Sequence, residues 1–496
     1  MSGHRSSPSK DPATKNGGWG FSLLPTIAGS LPSTPLPPYS EVAVPYEGGT
    51  GYFPSRLSRR ARMLRYGLLV ACLAGLVMIF TQLHGWEDAA RLAAQSRWLR
   101  GSSEVRLFTV HDYVKGPPTA LFRDNLKEDV KYITTWVAGG WTNDVIAVTH
   151  LLFLAHLSNR VAVLPRFTPT HFPKSAGTMR FSDIFDIPRL ERALNMPILE
   201  WDDIKVAHEN VSYVPREDIG CWSSWMAGGE ENKHPRDTEN PKLLGLNVQY
   251  TPVPRGNKMY GSGDWHLLFG RLLQLAYPSG RTAALKEVKP LQKLTPDEHM
   301  LCFDWLYYTG IDRSFEWEYD YSPEWQLVAK HMHWNPKLVA VADTYLRRHF
   351  GVSASQPIPP FISVHARRDD FADGCPGRNA SCLPKYDQLK ERIYEVQFEL
   401  WKNNATQVEK VLVMSDEKDA AWWAGIAQNG WGWIDHKKEE TAEKHGIWYE
   451  MLLDVVFHSK GSGFVGTDGS TMSLLAERRV KDWNGGQTAR LLWHGL

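Results

Sequence analysis

From about residue 130 onward the hydrophobic pattern repeats one theme: a short run rich in β-branched and aromatic residues, then glycine or small polar residues, then in most cases a helix-compatible run. The first unit is Tyr132 to Val137, then Ala138-Gly139-Gly140-Trp141-Thr142-Asn143, then a periodic apolar stretch from Val145 to Leu157. Ser158-Asn159-Arg160 ends that helix, and Val161 to Leu164 reads as the next buried strand. Phe361 to His365 opens the second unit and runs into Ala366-Arg367-Arg368-Asp369-Asp370-Phe371. In the third, Val411 to Met414 leads into Ser415-Asp416-Glu417 and a helix over Ala420 to Ile426. The fourth runs from Gly463 to Gly466 through Thr467-Asp468-Gly469-Ser470-Thr471 into a helix from Met472 to about Val480. Strands that alternate with helices in this way predict an α/β fold, doubly wound around parallel sheets. Polar residues gather just after the strand ends, where such sheets bind ligands. The Ser/Pro-rich stretch Ser353 to Pro360 marks a boundary, giving an N-terminal domain over 126–352 and a C-terminal domain over 353–496 with a cleft between them. Arg216 to Lys258 is polar with little periodicity and is expected to form a long irregular loop.

Upstream the pattern changes. Residues 1–65 are dominated by Ser, Pro, Gly and Thr, then Arg, with no period that could build a core, and read as a disordered cytoplasmic tail. Tyr66 to Leu83 is uncharged and mostly apolar, at the short end of what crosses a bilayer as a helix. Arg56, Arg59, Arg60, Arg62 and Arg65 precede it and Glu87 and Asp88 follow, so the positive-inside rule places the N-terminus in the cytoplasm. The expectation is a single-pass type II protein of the Golgi or endoplasmic reticulum membrane, with residues 84–125 as a stem and the remainder in the lumen. Asn210, Asn379 and Asn404 each begin an N-glycosylation sequon, which agrees with the lumen. So does the cysteine count outside the apolar run. Cys375 and Cys382 bracket a short loop and are expected to pair, leaving Cys221 with Cys302 by elimination; four cysteines permit three connectivities, and four buried free thiols are the alternative.

Charge narrows the function classes. Lys+Arg 56 against Asp+Glu 55 lacks the basic excess of a nucleic-acid binder, and 43% hydrophobic residues exclude a disordered chain. At a strand-to-helix turn, Thr467-Asp468-Gly469-Ser470-Thr471 offers backbone N–H groups, hydroxyls and a helix dipole, a set suited to phosphate; an ordinary helix cap accounts for the same residues. Arg367 adds a bidentate grip suited to a diphosphate, although an Arg-Arg-Asp-Asp loop is also what a solvated ion-pair cluster looks like. His331 and His333 lack the partners of a metal site, and Trp422, Trp423, Trp431 and Trp433 suit core packing.

Three segments together resemble a family. Val364-His365-Ala366-Arg367-Arg368-Asp369-Asp370-Phe371 is similar to the His-x-Arg-Arg-x-Asp-Phe segment of GDP-fucose O-fucosyltransferases. Phe464 through Ser470-Thr471-Met472-Ser473 to Glu477-Arg478-Arg479 resembles their nucleotide-binding segment, and Gly139-Gly140-Trp141-Thr142-Asn143 with Asn159-Arg160 to Pro165 resembles their opening loop, helix and turn. The resemblance implies two facing Rossmann-like domains of the GT-B type, GDP-fucose as donor, a protein or glycan hydroxyl as acceptor, inversion at the anomeric carbon, and no metal or other cofactor. It makes Arg367 the residue that holds the β-phosphate, with His365, Arg368, Asp416, Asp468, Ser470, Thr471 and Ser473 around the donor and Gly139, Gly140 and Asn143 approaching it from the other domain. Some members carry a Glu in the opening loop as general base. Here Asn143 stands there with Asp144 beside it, so Asp144 is either the base or an acidic residue of a helix first turn. The same fold using another nucleotide sugar, or serving as a non-catalytic binding protein, stays open at this point.

Overall fold

The computed structural model describes residues 108–492, apart from 208–214, 229–231, 255–266, 289, 292, 313–315 and 376–381. The N-terminal tail, the apolar run 66–83, most of the stem, Asn210 and Asn379 therefore lie outside the described residues. Among those described, no helix is long and apolar enough to cross a membrane.

Two parallel sheets organise the chain. The first holds β1 (Tyr132–Thr135), β2 (Val161–Leu164), β3 (Ile198–Glu200), β4 (Glu217–Ser223), β5 (Leu246–Pro252) and β7 (Met300–Phe303), in the order β3-β2-β1-β7-β4-β5. The second holds β9 (Phe361–Ala366), β10 (Lys410–Ser415), β11 (Gly463–Thr467) and β12 (Gln487–Leu491), in the order β10-β9-β11-β12. Two short strands, β6 (Leu267–Leu268) and β8 (Thr309–Gly310), pair apart from both. The central strands β1, β2, β7, β9 and β11 are buried along their whole length, as expected of parallel strands covered on both faces. That is why they read as continuous apolar runs in the sequence.

The helices that cover these sheets include α1 (Trp141–Ser158), α2 (Pro336–Phe350), α3 (Tyr386–Asn404), α4 (Ala420–Gln428), α5 (Trp448–Lys460) and α6 (Thr471–Asn484). Helix α1 is buried almost all round, and Asn159 ends it in the left-handed conformation that an L-residue adopts most readily as Asn. One core cluster runs from Ile133 and Leu151 beside the first sheet to Leu453 and Val456 beside the second. Asn404, of the third sequon, is the last residue of α3.

The stretch Arg216 to Lys258 differs from its expectation. It contains β4, a short helix over Asn240–Leu243 and β5. Strand β4 is half polar at its start and carries Gly220, and β5 is a half-exposed edge strand, so neither shows a clean period. Gly220 is required by packing: a Cβ there would lie 1.9 Å from the carbonyl oxygen of Thr295. The disulfide Cys221–Cys302 bridges β4 and β7, and Cys375–Cys382 closes the loop after β9.

Candidate functional site

In the second sheet the strand order reverses once, between β9 and β11; in the first, β2 and β3 lie to one side of β1 and the later strands β7, β4 and β5 to the other, so the order also divides between β1 and β7. Ligands of open α/β sheets bind outside the carboxyl ends of the strands at such reversals. Register places His365 of β9 beside Gly466 of β11 and Met414 of β10, so the segments that follow these three residues leave the sheet together.

At the β9–β11 reversal the backbone N–H of Arg367 donates to Thr467 Oγ1 (3.0 Å), whose hydroxyl donates to the carbonyl of His365 (3.1 Å). This fixes the start of the arginine loop against the end of β11. The guanidinium of Arg367 meets Asp370 (2.8 Å) and Asp416 (2.5 Å), and remains partly open to solvent. Asp416 also accepts from the backbone N–H of Arg368 (2.8 Å), so one carboxylate positions both the loop and its arginine. Arg368 itself turns away, pairing with Glu417 (2.7 Å) and lying over the ring of Trp422. Asp468 pairs with Arg490 (3.2 Å), which Glu477 also holds (2.8 Å).

His365 is buried and its Nδ1 lies 2.8 Å from Ser473 Oγ, in the first turn of α6. Burial, assisted by the charge of Arg367, pulls its pKa down to about 3. Burial also pulls the neighbouring His458 well below the usual histidine range, with His365 contributing. His365 is therefore a neutral hydrogen-bonding partner that orients Ser473. A histidine whose folded pKa is depressed contributes stability above its unfolded value near 6.5 that is lost as pH falls toward the folded value. Unfolding free energy is accordingly expected to decline from about pH 6.5 toward about pH 3, by up to ~1.4 kcal/mol per pH unit for each such histidine. Denaturant titrations at a series of pH values measure this, and His365→Gln should flatten the slope.

Ser470 caps α6 by accepting from the N–H of Ser473, and Gly469 enables the preceding turn with φ +75°. The N-terminus of α1 meets that of α6. The hydroxyl of Thr142 donates to Thr471 Oγ1 (2.6 Å), which in turn donates to Asn143 Oδ1 (2.9 Å). Two helix dipoles thus point their positive ends at one place, beside the strand ends that carry Arg367.

The opening loop is tied from behind. Trp141 already begins α1, which puts Asn143 and Asp144 inside its first turn. Asp144 is completely buried; its Oδ1 accepts from the N–H groups of Ala138 (3.1 Å) and Gly139 (2.8 Å). Burial raises its pKa well above the carboxylate range despite those bonds. A Cβ on Gly139 would crowd Asn143, Trp305 and Asp144 at 3.1–3.3 Å, and one on Gly140 would meet the His171 ring at 2.8 Å. Asn143 is thus engaged with Thr471, and Asp144 shapes the loop.

Two residues of this region were not legible as site residues. Asp304, fully buried just after β7, accepts from Ser223 Oγ (2.6 Å), Ser224 N (2.7 Å) and Trp305 N (2.8 Å), fastening the ends of β4 and β7 together. Its signal was available as an acid directly after the apolar run Met300–Phe303. Arg236 lies over the rings of Trp225 and Trp305 and donates to the Ala138 carbonyl (2.9 Å), supporting the opening loop from a segment with no periodic pattern.

The family model described as GDP-fucose protein O-fucosyltransferase matches residues 132–481. No curated protein matches the chain. Among solved structures, POFUT1 in complex with GDP-fucose is 14% identical, covering 74% of this chain and 99% of its own, with a TM-score of 0.45. The fucosyltransferase NodZ from Bradyrhizobium is 12% identical, covering 70% of this chain and 93% of its own, with a TM-score of 0.35.

Proposed function

Because the chain belongs to the GDP-fucose protein O-fucosyltransferase family, we propose that it transfers fucose from GDP-fucose to a hydroxyl of a protein or glycan acceptor, with inversion at the anomeric carbon. The reading takes the two parallel sheets as facing Rossmann-like halves of a GT-B fold with the donor between them. The observation that carries it is the placing of Arg367 at a strand-order reversal beside two convergent helix N-termini.

In this reading the donor diphosphate takes over the guanidinium from Asp370 and Asp416, two carboxylates whose oxygens stand where phosphate oxygens would compete. As the bond from fucose to the β-phosphate breaks, negative charge accumulates on departing GDP. Arg367 and the α6 N-terminus stabilise that charge without rearranging, so the mechanism calls for no divalent cation. Ser470, Thr471 and Ser473 supply hydroxyls and amides to the phosphates, while His365 keeps Ser473 oriented. Thr142, Asn143 and Thr471 hold the two halves in register over the donor. With Asp144 buried, catalysis leans on leaving-group stabilisation and on positioning of the acceptor oxygen.

We place the protein as a type II membrane protein of the Golgi or endoplasmic reticulum, anchored by residues 66–83 with its catalytic part in the lumen. Calorimetric titration of the full-length protein in detergent with GDP, GDP-fucose, GDP-mannose and UDP-sugars tests the donor. Selective binding of GDP and GDP-fucose, unaffected by a chelator, is expected. Equal binding of a UDP-sugar would replace the donor assignment, and no nucleotide binding by folded protein would leave a binding scaffold.

A further inference from the structure

At the opposite, amino-terminal end of the second sheet's central strands, where β9 begins at Phe361 and Ser462 leads into β11, the chain borders an open cavity of about 540 Å³, within the range that holds a small ligand. Trp334, Trp483 and His333 form an aromatic wall, and Arg189 and Lys460 stand at it as cations. Behind that wall is Arg479, 2% exposed, its guanidinium 4.3 Å from the centroid of the Trp334 ring and 5.6 Å from that of Trp483. It makes no hydrogen bond or ion pair with any described residue, and its Nε is buried without a partner. Asp482 accepts from Trp325 Nε1 (2.6 Å) and Glu477 holds Lys481 and Arg490, so neither pairs with Arg479; at the cavity itself Asp343 answers Lys460 (3.0 Å), and Asp186 acts on His333.

We propose that this cavity is a second binding site, separate from the donor site, for a small anion: a phosphate, sulfate or carboxylate group, free or carried on a compact ring. A buried guanidinium is normally paired, because desolvating a charge costs far more than a cation–π contact returns. Arg479 lacks such a pair among the described residues; its Nε is buried without a partner and its guanidinium lies against the rings of Trp334 and Trp483. Burial pulls its pKa down to about 9, and burial, assisted by Arg189, His331 and Arg479, lowers that of His333 to about 4 against the opposing charge of Asp186. With Lys460 answered by Asp343, Arg189 is the cation of the lining that carries no ion pair among the described residues, and an entering oxyanion meets it directly while Arg479 adds its charge from behind the rings. His333 stacks on Trp483 at 4.3 Å, and these rings supply the apolar surface for the ligand's ring. The five-residue rise of β9 from Phe361 to Ala366 sets this site roughly 17 Å from the arginine loop, so it neither shares the donor residues nor depends on the donor assignment.

The test uses the full-length protein in detergent, titrated with inorganic phosphate, citrate and N-acetylglucosamine 6-sulfate, against sodium chloride at equal ionic strength and neutral N-acetylglucosamine. Tryptophan fluorescence and thermal unfolding are the readouts. A saturable rise of several degrees in Tm is expected, as ligand binding to the native state requires. Strongest response to phosphate identifies a free phosphate as the source, and strongest response to the sulfated sugar an acidic glycan. Arg189→Ala should abolish the response and Arg479→Met, altered behind the aromatic wall, should weaken it at least about tenfold. Arg367→Ala, altered in the donor site, should retain it. Should Arg479→Met not fold, Arg189→Ala and Lys460→Gln at the cavity decide. The proposal is overturned by a wild-type response no larger than that to chloride, by equal responses in all the cavity variants, or by loss of the response in Arg367→Ala alone.

Discussion

Replacing Arg367 with Ala is expected to slow fucosyl transfer by roughly 10²–10³-fold while leaving Tm within about 3 °C of the wild type. The two halves of this expectation have separate origins. The guanidinium is partly exposed and its partner Asp370 is largely exposed, so that pair adds little to stability, and the less exposed Asp416 keeps the bond from Arg368 N when the guanidinium is removed. The segment's place in the fold depends instead on the backbone, through Arg367 N to Thr467 and Arg368 N to Asp416, and both bonds survive truncation of the side chain. Transfer, by contrast, loses a preorganised charge at the bond that breaks. Arg367→Lys should recover only part of the rate, since an ammonium cannot present the bidentate fork. Asp144→Asn, which keeps an acceptor for the Ala138 and Gly139 amides, should stay within about tenfold of wild type, well short of the loss of a general base. Turnover unchanged by Arg367→Ala would remove the residue from its assigned role.

The contrast between Arg367 and Asp144 also shows what the sequence can and cannot reveal. Strands β9, β10 and β11 and the turns after them were legible because a strand buried on both faces must be apolar throughout, and the polar residue that ends it stands out. Strand β4 was hidden because its polar start and Gly220 answer to tertiary contacts, the glycine to a backbone approach from Thr295 that no local pattern encodes. The orientation of side chains was equally out of reach. Arg367 and Arg368 are adjacent and identical in type, yet one guanidinium meets Asp370 and Asp416 while the other pairs with Glu417 and lies over Trp422. Asn143 was legible as a loop residue, but its partner Thr471 lies 328 positions away, and only the meeting of two helix N-termini brings them within 2.9 Å.

Removing the Cys221–Cys302 bridge is the change expected to cost the most stability. With a sequence separation of 81, the cross-link constrains the unfolded chain by about 4 kcal/mol in the chain-entropy picture, against about 2 kcal/mol for Cys375–Cys382 with its separation of 7. Against a typical total of about 5–15 kcal/mol, the first loss is a large fraction and the second is tolerable. Position widens the gap. Cys221 and Cys302 are fully buried among Tyr132, Trp136 and Met300, and truncating them leaves space in a packed core. They also sit just before Ser223 and Asp304, whose 2.6 Å bond joins the ends of β4 and β7 behind the opening loop. The double variant Cys221→Ala/Cys302→Ala should therefore show a lower denaturation midpoint and, where it still folds, weaker transfer. Cys375→Ala/Cys382→Ala changes only the loop that follows the arginine segment, so its midpoint should fall about half as far. Equal losses for the two pairs would show that loop length is not what sets the contribution. The bridge would then act through packing at the β4–β7 seam, and Cys221→Val/Cys302→Ala, which refills part of that volume, should restore most of the midpoint.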